Sequence, residues 1–232
     1  TRIYVAAFPS KNELKAYLEM LEEAKRRDHR KLGVQLDLFT FSELVGPGLP
    51  LWTPKGTLLR NLLDGFVWEL REARGYDRVT IPHITKKELY ETSGHWQKFA
   101  DQLFHITTRE GHEFAMKPMN CPHHTQIYAS KPRSYKDLPQ RYAETTTCYR
   151  DEQTGELHGL SRVRAFSQDD AHVFCRMEQV KEEFLKIWDI VDTFYSTVGF
   201  KDLEVRLSLH DPDNFDKYLG TPELWKKAEG SI

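Results

Sequence analysis

The sequence predicts an α+β fold, a mostly antiparallel sheet flanked by helices, and three observations carry that prediction. Helix-period and strand-period segments alternate without the regular strand–helix–strand rhythm of a doubly wound sheet. Two β-prone stretches within Tyr142–Cys175 flank the turn-rich Gln153-Thr154-Gly155-Glu156-Leu157-His158-Gly159, which reads as a hairpin with a long tip. The 232 residues, 39% hydrophobic and 29% charged, suffice for one main hydrophobic core and argue against extended disorder.

Ser10 and Glu13 fit a capping box, and Leu14, Tyr17, Leu18 and Leu21 follow at helical spacing, so an amphipathic helix is expected from Lys11 to about Arg27. It precedes the main domain, which divides the chain into a linker helix over 1–38 and a core domain over 39–232. The basic run Lys25, Arg26, Arg27, His29, Arg30 and Lys31, interrupted by Asp28, reads as a solvated helix end. After Gly46-Pro47-Gly48-Leu49-Pro50, a longer helix is expected from about Thr57 to Ala73, with Gly75 as its stop. Its stripe of Leu58, Leu59, Leu62, Phe66 and Leu70 is explained by core burial.

Strand character marks Arg78–Ile81, stopped by Pro82, then Gln102–Thr107 and Glu113–Met119. Val180, Phe184, Trp188, Val191, Phe194 and Tyr195 repeat helically between Glu178 and Val198, and Gly199 supplies the stop. Strict alternation of Leu203, Val205, Leu207 and Leu209 predicts a strand after it.

Several function classes are excluded or weakened. A formal net charge of −2 provides no global basic field for nucleic acid. No apolar run approaches the roughly 18 residues of a membrane span, and no signal peptide opens the chain, so a cytoplasmic protein is expected. Cys121, Cys148 and Cys175 are too few for a disulfide framework, which leaves reduced thiols or a metal ligand. Neither G-x-x-x-x-G-K-[ST] nor a strand-linked G-x-G-x-x-G occurs, so side chains would have to hold any ATP phosphates. A zinc hydrolase lacks its H-E-x-x-H. Opening at Thr1, the chain reads as an excised piece of a longer one.

The hairpin has a chemical face. Residues two apart along a strand share a face, so Arg162, Arg164, Phe166, Gln168, Asp170 and His172 are expected to project together. The same period groups Cys148, Arg150 and Glu152 on the first strand, and pairing could bring Arg150 and Glu152 beside that row. A salt-bridged surface needs only cations and carboxylates, whereas an ATP site also uses an aromatic face and neutral hydrogen-bonding groups. Arginine forks match phosphate and carboxylate, and a phenylalanine can stack on adenine. Cys121 and His172 are donor types that zinc takes, although two ligands are not a site.

Arg150-Asp151-Glu152, a variable loop and Arg162-Val163-Arg164-Ala165-Phe166 resemble motif 2 of class II aminoacyl-tRNA synthetases, and the helix and strand ending at Pro82 resemble motif 1. Met119-Asn120-Cys121-Pro122-His123-His124, Gln168-Asp169-Asp170-Ala171-His172 and Asp28–Leu38 are similar to the threonyl-tRNA synthetases of that class. The resemblance runs from the first helix to the closing residues. It implies the class II synthetase fold, with this chain stopping before motif 3, and an enzyme that forms threonyl-adenylate from threonine and ATP and then charges tRNA(Thr).

By that resemblance Arg150 is the catalytic residue, contacting the α-phosphate and the threonine carboxylate. Glu152 meets the adenine amino group, Arg162 the distal phosphates and Phe166 the adenine ring. Met119, Gln168 and Asp170 line the threonine pocket, and Asp170 accepts from the substrate hydroxyl. Cys121 and His172 bind Zn²⁺, the third ligand lying downstream of Ile232, and Mg²⁺ accompanies ATP. Valine lacks the hydroxyl and would leave Asp170 unpaired, whereas serine differs by a methyl group worth only about 1–3 kcal/mol. The resemblance also implies a homodimer with no membrane association. It leaves the editing and anticodon-binding domains outside this chain, and the isolated fragment is expected to be incomplete. A non-catalytic synthetase-like paralogue that senses an amino acid or binds RNA is the alternative. His123, His124, His158 and His210 are expected to be surface or polar-loop histidines.

Overall fold

A computed structural model describes Ile3 and residues 5–231; Thr1 and Ile232, the outer bounds of the two expected segments, lie outside the described residues. Chain contacts define two compact units, Thr1–Arg60 with Tyr149–Phe166, and Asn61–Cys148 with Ser167–Ile232.

In the first unit, α1 (Lys11–Arg26) starts where Ser10 accepts a hydrogen bond from the Glu13 amide, at 3.2 Å. None of its residues is buried. Cations of the basic run at its end pair locally: Lys25 with Glu22, Arg26 and Arg27 with Glu23, and Arg30 with Asp28. α2 (His29–Gln35), capped by Asp28, was not anticipated, because seven residues give too short a window for periodicity. β1 (Phe39–Thr40) and β2 (Leu51–Trp52) pair antiparallel, Phe39 opposite Trp52. α3 (Pro54–Glu72) begins at Pro54 rather than Thr57, since proline suits a first helical turn and the Thr53 hydroxyl accepts from the Gly56 amide at 3.2 Å.

The second unit continues from Asn61 through the rest of α3. The later elements, in order, are β3 (Asp77–Arg78), β4 (Ile84–Lys86), α4 (Lys87–Thr92), α5 (His95–Lys98), β5 (His105–Thr107), β6 (Glu113–Met116), α6 (Cys121–Ala129), β7 (Gln140–Tyr149), β8 (Ala165–Phe174), α7 (Val180–Thr197) and α8 (Pro222–Glu229). One sheet has the order β3-β7-β8, with β3 parallel to β7; the other, β4-β6-β5, is antiparallel throughout. Val67, Tyr76, Ala143 and Ile190 form one core, joined by Trp68, Leu70, Val173 and Phe194. Tyr90, Leu103 and Ala115 form a second under Trp96.

Two expectations about packing fail. Gly56, Val67 and Arg71 take the buried positions of α3, whereas Leu58, Leu59 and Leu62 are 60%, 44% and 62% exposed, so core burial does not explain the front of the stripe. No strand forms over Leu203–Leu209, whose four apolar residues are also exposed. Alternation supplies a face but not a ladder, and none of the described residues pairs with this backbone as a neighbouring strand.

Candidate active site

In the second unit the turn into α6 is dry. Lys117, Asn120 and His124 are fully buried, His123 nearly so, and Met119 and Cys121 are half-buried. The expectation of surface positions for His123 and His124 is therefore wrong: α6 carries them inward, a direction that a single histidine in a sequence does not disclose. Among the described residues neither ring nitrogen of His123 finds a hydrogen-bond partner, and burial pushes its pKa down to about 4.

The period-2 row on β8 meets this turn. Asp170 Oδ2 accepts from Asn120 Nδ2 at 2.9 Å, and Oδ1 accepts from the Ala171 amide at 2.9 Å. Cys148 Sγ lies 3.7 Å from Gln168 Oε1, and the Nδ1 atoms of His172 and His124 are 2.8 Å apart. One of those rings must carry the proton that the other accepts. His124 Nε2 lies 3.3 Å from Glu144 Oε1, so the histidine pair ends on a buried carboxylate. Asp169 faces the other way, where it pairs with Arg71 at 2.8 Å and Thr145 donates to it at 3.3 Å.

Burial pushes the Cys121 thiol up and the His172 imidazole down, and the Asp170 carboxylate acts electrostatically on both. Thiolate and imidazole are zinc donors by type. Among the described residues, however, no group of three or more His, Cys, Asp or Glu is placed to hold a metal ion. Cys121 and His172 are two donors by type, one fewer than a catalytic zinc ordinarily takes from protein.

In the first unit, the turn from Arg150 to Arg164 places the Arg150 guanidinium 5.0 Å from the Phe166 ring centroid. Among the described residues Arg150 Nε is buried without a hydrogen-bond partner. The half-exposed Arg162 donates from Nε to Glu152 Oε2 at 2.8 Å and from Nη2 to Glu156 at 2.9 Å. Arg162 and Arg164 precede β8, which begins at Ala165, so the expected row is strand only from Phe166 onward.

Three features of this turn escaped the sequence reading. Arg164 Nε donates to the Glu152 carbonyl at 2.9 Å, bracing the turn from within. Gly48, at φ +74°, accepts the Arg164 amide at 2.7 Å, and a Cβ there would meet Leu157 at 2.9 Å. His29 Nε2 accepts from the Leu160 amide at 2.8 Å, which requires the tautomer protonated on Nδ1. The glycine at 48 was the available signal, hidden in what reads as a Pro/Gly linker. A cavity of about 490 Å³ lined by Phe41, Glu43, Pro47, Gly48, Thr154 and Leu157 contains none of the expected site residues. Its ionisable lining group is an acid, which does not suit a polyphosphate.

The description "tRNA synthetase class II core domain (G, H, P, S and T)" matches residues 104–227. The threonine–tRNA ligase of Cytophaga hutchinsonii is 58% identical over the whole chain, which spans 36% of that relative's length. The chain thus covers about a third of such relatives. Among solved structures, the RNA-binding domain of threonyl-tRNA synthetase from Cryptosporidium parvum has a TM-score of 0.79 at 37% identity, over 88% of this chain and 50% of that one. A putative threonyl-tRNA synthetase from Aeropyrum pernix has a TM-score of 0.75 at 31% identity, over 82% and 42%.

Proposed function

This chain belongs to the class II tRNA synthetase core-domain family, and from that premise we propose that it supplies the adenylate-forming part of a threonine–tRNA ligase. The observation that carries the reading is the joining of Met119–His124 to Gln168–His172 by the Asn120–Asp170 and His124–His172 contacts. These two stretches, remote in sequence, are the ones whose motifs resemble the threonyl enzymes. Similarity to the Cytophaga ligase across the whole chain supports the same substrate.

In this reading the threonine carboxylate attacks the ATP α-phosphorus, an oxygen–phosphorus bond forms, and pyrophosphate leaves with the electrons of the broken α–β bridge. The terminal adenosine of tRNA(Thr) then attacks the adenylate carbonyl and AMP departs. Arg150 receives the α-phosphate and the amino-acid carboxylate, for which its unpartnered Nε is suited. Glu152 takes the adenine amino group, Arg162 the distal phosphates and Phe166 the ring, which requires Arg162 to leave its carboxylate partners when ATP binds. Met119 and Gln168 line the amino-acid pocket and Asp170 accepts from the threonine hydroxyl. Rate acceleration then comes from alignment and charge stabilisation, without a covalent enzyme nucleophile.

Cys121 and His172 would hold zinc together with a third donor that the described residues do not supply. Bound there with an open position, the metal would offer coordination to the substrate amino and hydroxyl groups. Mg²⁺ would arrive with ATP. Exposed Leu58, Leu59 and Leu62 favour a homodimer, because apolar side chains at successive helical turns suit a protein–protein contact. No helix among the described residues is long and apolar enough to cross a membrane, and a cytoplasmic location is proposed with the same reading. Residues 1–38 are proposed as a linker helix and 39–232 as the partial catalytic domain.

The test is amino-acid-dependent exchange of pyrophosphate into ATP by the zinc-loaded, full-length gene product carrying this sequence. Exchange should be strong with threonine, weaker with serine and negligible with valine. No exchange from a folded protein that still binds threonine would favour the non-catalytic paralogue.

A further inference from the structure

We propose that Lys117 and Asn120 are positioning residues that lock the Asp170 carboxylate for recognition of the substrate hydroxyl, an inference that rests on the threonine reading above. Both residues are fully buried. They therefore act through Asp170 rather than at the surface of the pocket.

The two ends of the Asn120 amide differ only in hydrogen-bonding sense. Lys117 Nζ donates to Oδ1 at 3.1 Å, and Cys148 Sγ lies 3.4 Å from the same oxygen. At the other end Nδ2 donates to Asp170 Oδ2 at 2.9 Å. An ammonium only donates and a carboxylate only accepts, so a single orientation of the amide satisfies both neighbours. The charge on Lys117 thereby dictates that Asp170 meets an N–H rather than a carbonyl.

Lys117 is itself held in place. Its Nζ donates to Thr146 Oγ1 at 2.7 Å and lies 4.0 Å from Glu144 Oε1, so β7 fixes the ammonium from a second direction. Burying a lysine is unfavourable unless its charge and donors are matched. Here they are matched by an array that ends on the proposed specificity residue.

At its far end, Asp170 is held at both oxygens, by Asn120 and by the Ala171 amide. A carboxylate has about four acceptor sites, so these two bonds leave capacity for a substrate hydroxyl while removing rotation about the side chain. Without Lys117 the Asn120 amide can flip and point Oδ1 at Asp170. The repulsion would turn the carboxylate away, and threonine would lose its advantage over valine.

The experiment measures threonine, valine and ATP affinities by calorimetry on the zinc-loaded, full-length gene product, for Lys117→Met, Asn120→Ser, Asp170→Asn and the double variant Lys117→Met/Asp170→Asn. Two independent first variants keep the test alive if one of them does not fold. Lys117→Met and Asn120→Ser should each weaken threonine about ten-fold or more, the scale of a hydrogen bond to a charged group. ATP affinity should change less than about two-fold, and Lys117→Met should add less than about two-fold once Asp170 is already asparagine. Equal losses for threonine and ATP, or a full additional loss in the Asp170→Asn background, would overturn the inference alone. Unchanged threonine affinity in Asp170→Asn would overturn the threonine reading itself, and the inference with it.

Discussion

Glu183→Gln should destabilise the protein strongly at neutral pH and much less in acid. Glu183 is 3% exposed on α7, and its two oxygens accept from Arg141 Nε at 2.5 Å and Nη2 at 2.7 Å, with Lys186 Nζ at 3.1 Å. Glutamine keeps the shape and removes the charge, so the guanidinium faces a neutral amide. Breaking a fully buried pair costs about 3–5 kcal/mol. Arg141 retains 15% and Lys186 31% side-chain exposure, so solvent recovers part of that and about 2–3 kcal/mol remains. At about 2–4 °C per kcal/mol for a domain of this size, Tm should fall by roughly 4–12 °C.

The pH dependence has a definite sign. The Arg141 and Lys186 cations hold Glu183 below the usual carboxylate range, against the opposing effect of burial. A depressed folded-state value means that the pair contributes stability above the unfolded-state pKa and loses it as pH falls through the folded value. The gap between parent and variant should therefore be full near pH 7, begin to close below about pH 4.3, and vanish at lower pH. Thermal unfolding followed by far-UV circular dichroism from neutral pH downward measures it. A variant that melts within about 1 °C of the parent at pH 7, or a gap that stays constant with pH, would refute the reasoning.

Gly56→Ala gains about 1 kcal/mol of helix propensity, but the new Cβ would overlap the Leu38 carbonyl and lie 3.0 Å from the Trp52 ring. Backbone cannot rotate aside, so overpacking of about 1–3 kcal/mol should prevail and the urea midpoint should drop with an unchanged m-value; a higher midpoint would show that α3 can shift. Gly159→Ala puts a side chain at φ +52° against His29 and within 2.7 Å of Arg30 Cγ, which should break the Leu160–His29 hydrogen bond. Limited trypsin digestion should then cut faster at Arg162 or Arg164, and an unchanged digestion rate would remove His29 from its assigned part in holding the turn.

Local periodicity made much of the fold legible. α1, α3 and α7 follow apolar spacing at helical period, and the long hairpin follows β-propensity around a turn-rich tip. Phe166, Gln168, Asp170 and His172 could be grouped in advance because a strand alternates faces whatever it packs against. α2 was missed because seven residues hold too few repeats, and its Asp28 cap sits inside a basic run.

Tertiary structure decided the rest. Leu58 and Leu209 have the spacing of core residues and remain exposed, because burial and pairing require a neighbour that no local pattern specifies. His123 and His124 are buried, and Lys117 is a dry cation, because remote segments meet them: Tyr90 faces His123, Glu144 and His172 contact His124, and Thr146 accepts from Lys117. The contact of Asn120 with Asp170 spans fifty positions. Spacing determines which side chains share a face of one element; which face meets which partner, and which charge is left in a dry place, depends on how remote segments fill the same space.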